Sequence, residues 1–154
     1  MIPVIRADQS KCFETVPKVM VTADVLFTIT GGPILIEELL SECVTVNDAT
    51  ASTMQYKSNP DNATAATFSG ASGSLASFAA GGTVRLSPVA LTTAPVLALV
   101  GAGGLHLGTD IGNHIIVQAG TISIVIAVGS TTGTWKHYIR YRPLSPNSVI
   151  NLAG

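Results

Sequence analysis

A chain of 154 residues with 47% hydrophobic but only 11% charged side chains suits a single domain long enough to bury a sizeable core. Its formal net charge of −1 leaves no global field to steer it to DNA, RNA or an anionic membrane. Charge is also unevenly spread: between Asn62 and Trp135 only Arg85 and Asp110 are formally charged, so much of that exterior must be Ala, Ser, Thr, Gly and Val. A surface of that kind suits contact with another protein better than contact with water.

In chain order, residues 1–16 mix charges without a period and read as a flexible arm that needs something to dock on. No basic region followed by an apolar stretch stands there, so no secretory signal is expected. From Lys18 the chain turns strand-like, with Val19, Val21, Val25, Phe27 and Ile29 largely on one alternating face, and Gly31-Gly32-Pro33 ends the run. The following ILIEELLSE would suit a short helix, but Cys43-Val44-Thr45-Val46 continues β-branched and Asn47-Asp48 makes a turn, which favours a strand. Residues 58–83 are dominated by Ser, Ala, Gly and Thr, with Phe68, Leu75 and Phe78 as sparse anchors. A free loop of that length would be unusual, so short strands of small residues are expected within it. Thr83–Ala90, Val96–Val100 and His114–Gln118 are further strand candidates.

The clearest element is a C-terminal hairpin. Ile122, Ile124, Ile126 and Val128 share one face of its first strand, Gly129–Gly133 is the turn, and Thr134–Arg142 returns. On the return strand Trp135, His137, Ile139 and Tyr141 alternate with Lys136, Tyr138, Arg140 and Arg142, one face apolar and the other cationic. Pro143 and Pro146 stop it. These elements indicate an all-β, single-domain antiparallel β-sandwich or barrel over residues 17–144, with an arm at 1–16 and a short tail at 145–154. The apolar run from Leu86 to Thr109 is interrupted by Pro88, Pro95 and a cluster of glycines, which argues against a membrane span.

The chemistry-bearing residues form no catalytic constellation. His106, Asp110 and His114 are spaced for one face of a helix, but Gly104, Gly108 and Gly112 oppose a helix there. In a strand successive members would stand about 13 Å apart, too far to share an ion. Gly70-Ala71-Ser72-Gly73 misses a nucleophile elbow by one position, and Gly101-Ala102-Gly103-Gly104 has no βαβ surroundings. Cys12 and Cys43 fit neither a redox motif nor a disulfide framework and are expected as free thiols. No catalytic, cofactor or metal residue is assigned, and an enzyme is not expected. Glu37, Glu38 and Glu42 either pair across strands with Lys136, Arg140 and Arg142, meet a partner subunit, or form a solvated face.

The segments TITGGPILIEELLSECVTV, AGTISIVI, STTGTWKHYIRYRPL and SPNSVI resemble those of small β-rich virion proteins of tailed bacteriophages, over roughly residues 18–150. In that group a TGGPI turn follows the first strand and a closing hairpin carries the STTG, W and Y-R-P-L signatures. The resemblance implies a head decoration (cement) or minor capsid protein, often a homotrimer, which clamps neighbouring major capsid subunits. The arm, with Ile5, Arg6 and Phe13, is then expected on the lattice. The Asn62–Gly82 segment, with Phe68, Leu75 and Phe78, and the hairpin, with Trp135, Tyr138, Arg140 and Arg142, are expected between copies. Neither nucleic acid nor membrane is an expected partner. The alternative is a receptor- or glycan-binding module of a tail fibre or baseplate, with Trp135, Tyr138 and Tyr141 in an exposed groove.

Overall fold

A computed structural model describes residues 9–86, 105–107, 115–128 and 132–153. The described residues form two antiparallel sheets packed face to face and not closed into a barrel, so the fold is an all-β sandwich. In chain order the strands are β1 (Lys11–Glu14), β2 (Lys18–Val19), β3 (Val25–Thr30), β4 (Ile34–Thr45), β5 (Met54–Pro60) and β6 (Ala66–Thr67). They continue with β7 (Thr83–Arg85), β8 (Leu105–Leu107), β9 (Ile115–Val117), β10 (Gly120–Ile126), β11 (Thr134–Pro143) and β12 (Val149–Leu152).

The larger sheet is built on one long pair, β4 against β11, from Ile34↔Pro143 to Thr45↔Thr134. Short strands line both of its sides: β1 and β2 lie along β11, and β7 and β9 along β4, with β8 beyond β9. The smaller sheet runs β12-β3-β10-β5-β6. Phe27, Ile29, Tyr56, Ile122, Ile124 and Ile150 from the smaller sheet meet Ile36, Leu39, Trp135, Ile139 and Tyr141 from the larger, all buried.

Two bulges explain why β4 reads ambiguously. Arg140 faces Glu38 while Tyr141 faces Ile36, so Glu37 is an extra residue; Val44 is another, between Cys43 and Thr45. The first bulge turns Ile36 and Leu39 to the same side, three apart, which imitates helical spacing. It also places Glu37 and Glu38 together on the outer face. The segment is therefore a strand, ending at Thr45 one residue before Val46, with its pleat reset in the middle.

Several expectations need correction. The C-terminal hairpin does not exist as a hydrogen-bonded pair: β10 pairs with β3 and β5, whereas β11 pairs with β1, β2 and β4. The apolar faces Ile122–Ile126 and Trp135–Tyr141 are buried as expected, though Val128 lies beyond β10 and is exposed, and the two faces look at one another across the core instead of lying edge to edge. Alternation shows which face is buried and says nothing about which strand is the neighbour. The run from Val19 to Ile29 is likewise split between sheets: Ala23 takes a left-handed conformation (φ 65°), β2 joins the larger sheet and β3 the smaller. The arm shortens, because Lys11–Glu14 is strand β1 and Thr15 is buried against His137. The tail contains β12, with Ile150 in the core.

The TGGPI turn and the SPNS turn form one unit. Gly31 (φ 78°) lies so close to the Asn147 carbonyl that a Cβ there would come within 1.9 Å of the oxygen. Ser148 Oγ and the Leu144 N–H both donate to the Pro33 carbonyl, at 2.8 and 3.1 Å. Two of the quoted signatures are thus the two halves of a single lock between the first and last strands of the smaller sheet.

Candidate functional site

The outward side of the larger sheet holds the charges. Parity along β11 sends Lys136, Tyr138, Arg140 and Arg142 out and Trp135, His137, Ile139 and Tyr141 in. Opposite them stand Glu14 of β1 and Glu37, Glu38 and Glu42 of β4, with Arg85 of β7 across from Leu40. Four of the eight Lys/Arg residues and four of the nine Asp/Glu residues therefore share one face. They pair among themselves: Arg140 reaches Glu37 at 3.3 Å and Glu38 at 3.7 Å, Arg142 binds Glu37, Arg85 binds Glu38, and Lys136 lies 3.7 Å from Glu14. The expected cross-strand pairing is found for Glu37 and Glu38 with Arg140 and Arg142, whereas Lys136 turns to Glu14 and Glu42 accepts from Tyr138.

Glu37 is the hub of this network, its side chain only 6% exposed. Burial works to raise its pKa, but hydrogen bonds from Ser10 and Arg142, with the charges of Arg142 and Arg140, outweigh that and hold it below the ordinary value. Tyr138 donates to Glu42 at 2.8 Å; that bond, partial burial and the nearby carboxylates push it up to about 12. A depression of about 450 Å3 over Cys12, Glu14, Leu40, Tyr138 and Arg140 opens on this face.

The outer side of the smaller sheet is different. A row of Asn151, Thr28, Thr121 and Asn59 crosses four strands in register, and Lys57 is the charge on the described strands of that face. The segment between β5 and β7 adds to this neutral exterior: from Asn62 to Gly82 it has no formal charge, and Ala71, Ser74, Ala76, Ala79 and Ala80 are exposed. Only β6 in it is a strand. Serine hydroxyls replace carbonyls along β5 instead: Ser69 Oγ accepts from the Tyr56 N–H at 2.9 Å and Ser72 Oγ from the Met54 N–H at 3.0 Å.

One end of the sandwich is apolar. Val19 lies in register with Thr134 and Thr45, which Val44 and Val46 flank; Val21 and Val128 adjoin the Thr22–Ile126 bond. All five are exposed, as is Val16 at 66%.

Several expected contact residues are instead interior. Trp135 is fully buried and Leu75 is 2% exposed. Phe78 stacks on Trp135 with ring centroids 5.5 Å apart, and Phe68 on Tyr56 at 6.3 Å. Asn47 binds these together, accepting from Trp135 Nε1 at 3.1 Å and donating to the Leu75 carbonyl at 3.0 Å. The small-residue loop thus hooks its anchors into the chain's own core. Phe13 is half-buried, 6.4 Å from the Tyr141 ring. Tyr138, Arg140 and Arg142 do come together at the surface. Tyr141, 1% exposed, is in the core with Trp135, so no groove of three aromatics exists. Ile5, Arg6, Asp110 and His114 lie outside the described residues.

Sequence reasoning missed a buried polar cluster. Ser41 Oγ lies 2.7 Å from His137 Nδ1 and 2.6 Å from the Tyr56 hydroxyl, linking the two sheets. Burial drives Tyr56 up to about 12 against the effect of its bond to Ser41. At 0% and 1% exposure, Ser41 and His137 offer no access to a substrate. Its signal was present, since Ser41 and His137 break apolar faces at inward positions. Cys43 is buried and free, Cys12 exposed and free. Among the described residues no group of three or more His, Cys, Asp or Glu side chains could hold a metal ion, and no helix is long and apolar enough to cross a membrane. Neither a family model, nor a curated protein, nor a solved structure matches the chain.

Proposed function

We propose that this chain is a non-enzymatic virion protein that decorates a tailed-phage capsid and stabilises it, seated on the major capsid protein and against its own copies as a homotrimer, in particles assembled in the host cytoplasm. The observation that carries the reading is the uncharged exterior from Asn62 to Gly82, where Ala, Ser, Thr and Gly face outward with little to hold water. The exposed valines at one end of the sandwich add a second weakly solvated area. The resemblance of the turn segments to phage virion proteins supplies the kind of assembly. Mechanically, each contact is modest, and repetition on a symmetric lattice multiplies occupancy. The charged face, being internally paired, is left as the solvent-facing side.

The test is light scattering on the purified chain together with co-sedimentation with purified phage capsids, repeated with residues 1–10 deleted so that β1 is kept. An oligomer that binds capsids, and binds less without the deleted residues, is the expected result. A monomer that ignores capsids refutes the reading. The receptor-binding alternative has lost its aromatic groove, and no other observation favours it.

A further inference from the structure

His137 sits where the two sheets and the N-terminal edge meet. Its backbone holds Thr15 from both sides: the Thr15 N–H donates to the His137 carbonyl at 2.9 Å, and the His137 N–H donates to Thr15 Oγ1 at 3.1 Å. Thr15 is in the link between β1 and β2, so this pair of bonds ties that link to β11 between the two short paired stretches. We infer that His137 is an acid-sensitive latch: protonating its ring releases the β1–β2 edge from the larger sheet while the β4–β11 pair stays closed.

The surroundings of the ring decide the direction. From β4 it meets the Ser41 hydroxyl, with the Cys43 thiol one inward position further on. From β5 the Tyr56 hydroxyl stands behind Ser41, and from β7 the Val84 carbonyl lies 3.4 Å from that hydroxyl. With the proton on Nδ1, a chain of donors runs through Ser41 and Tyr56 to the Val84 carbonyl, so these partners are satisfied by the neutral ring and offer no acceptor to a second proton on Nε2. From β2 comes a cation, Lys18, opposite Trp135 and paired with Asp24 at 3.6 Å. On its own strand the further inward titratable side chain is Tyr141. The carboxylates of Glu14 and Glu42 are on the other face of the sheet, bonded to Lys136 and Tyr138. A protonated ring would therefore face a second positive charge with water shut out.

Burial first, and the Lys18 charge second, push His137 down to about 4. That value is below the unfolded one, so the closed form binds fewer protons. The closed state is favoured above about pH 6.5 and loses ground as pH falls towards about 4. Relief comes at the weakest joint. β1 and β2 pair with β11 over four and two residues, whereas β4 pairs with it from Thr134 to Pro143.

Hydrogen exchange with mass spectrometry on the full chain, without capsids, tests this at about pH 7, 5.5 and 4.5, after correction for intrinsic exchange. Between pH 7 and 4.5 the open fraction of residues 11–20 should rise by up to about 60-fold, while residues 34–43 and 120–126 stay protected. Both His137→Gln and Lys18→Met should blunt the rise, and Lys18→Met leaves the buried cluster intact should His137→Gln fail to fold. The inference is overturned if residues 11–20 do not open selectively, if all strands open together, or if Lys18→Met opens like the wild type.

Discussion

Gly31 and Gly81 have almost the same backbone conformation, φ +78° and +82°, in very different surroundings. Replacing either by Ala puts an L side chain in the left-handed region, which costs about 1 kcal/mol. At Gly81 nothing lies within 4 Å of the added Cβ, so the cost stops there. At Gly31 the Cβ would come within 1.9 Å of the Asn147 carbonyl oxygen, and the SPNS turn must move away. That motion breaks the bonds from Ser148 Oγ and the Leu144 N–H to the Pro33 carbonyl, each contributing about 1 kcal/mol. Gly31→Ala should therefore lose about 3 kcal/mol and Gly81→Ala about 1 kcal/mol, measured by urea denaturation with the slope checked for constancy. If the two variants are equally mild, the TGGPI and SPNS turns are not locked together.

Asn47→Ala should cost about 2 kcal/mol, because it strands the Trp135 indole N–H in the interior and takes one of two donors from the Leu75 carbonyl, which keeps the Phe78 N–H; a shifted Trp135 emission is the readout. Tyr56, raised to about 12, is neutral in the fold well above its ordinary value. Its contribution is complete below about pH 10 and about 2–3 kcal/mol of stability is lost as pH rises to about 12, a loss that Tyr56→Phe should remove in alkaline urea titrations. Ser69→Ala removes the acceptor for the Tyr56 N–H and should cost about 1 kcal/mol, with faster exchange of that amide.

Strand identity and the buried face were legible wherever alternation was strict, as in β11, where every inward residue from Trp135 to Tyr141 was read correctly. Partnership was not, because β10 and β11 each present one apolar face and the sequence between them fits a tight turn equally well. The bulge at Glu37 hid in the same way: one extra residue makes a strand imitate a helix. At the surface, the scarcity of charge correctly pointed to an exterior of small residues. It misplaced the large ones, since Leu75, Phe78 and Trp135 have no signal separating a contact with another copy from a contact with the chain's own loop.

The long β4–β11 pair has a consequence for how the protein is made. Ser41 and His137 are 96 residues apart, so the strand at the centre of the larger sheet must wait for most of the chain to leave the ribosome before its main neighbour arrives. Until then Ile34, Leu35, Ile36 and Leu39 stand on an unsatisfied β-edge, a segment prone to misassociation. Slow synthesis or a shortened C-terminus should therefore show up as insolubility in the expressing cell sooner than as a weaker folded state.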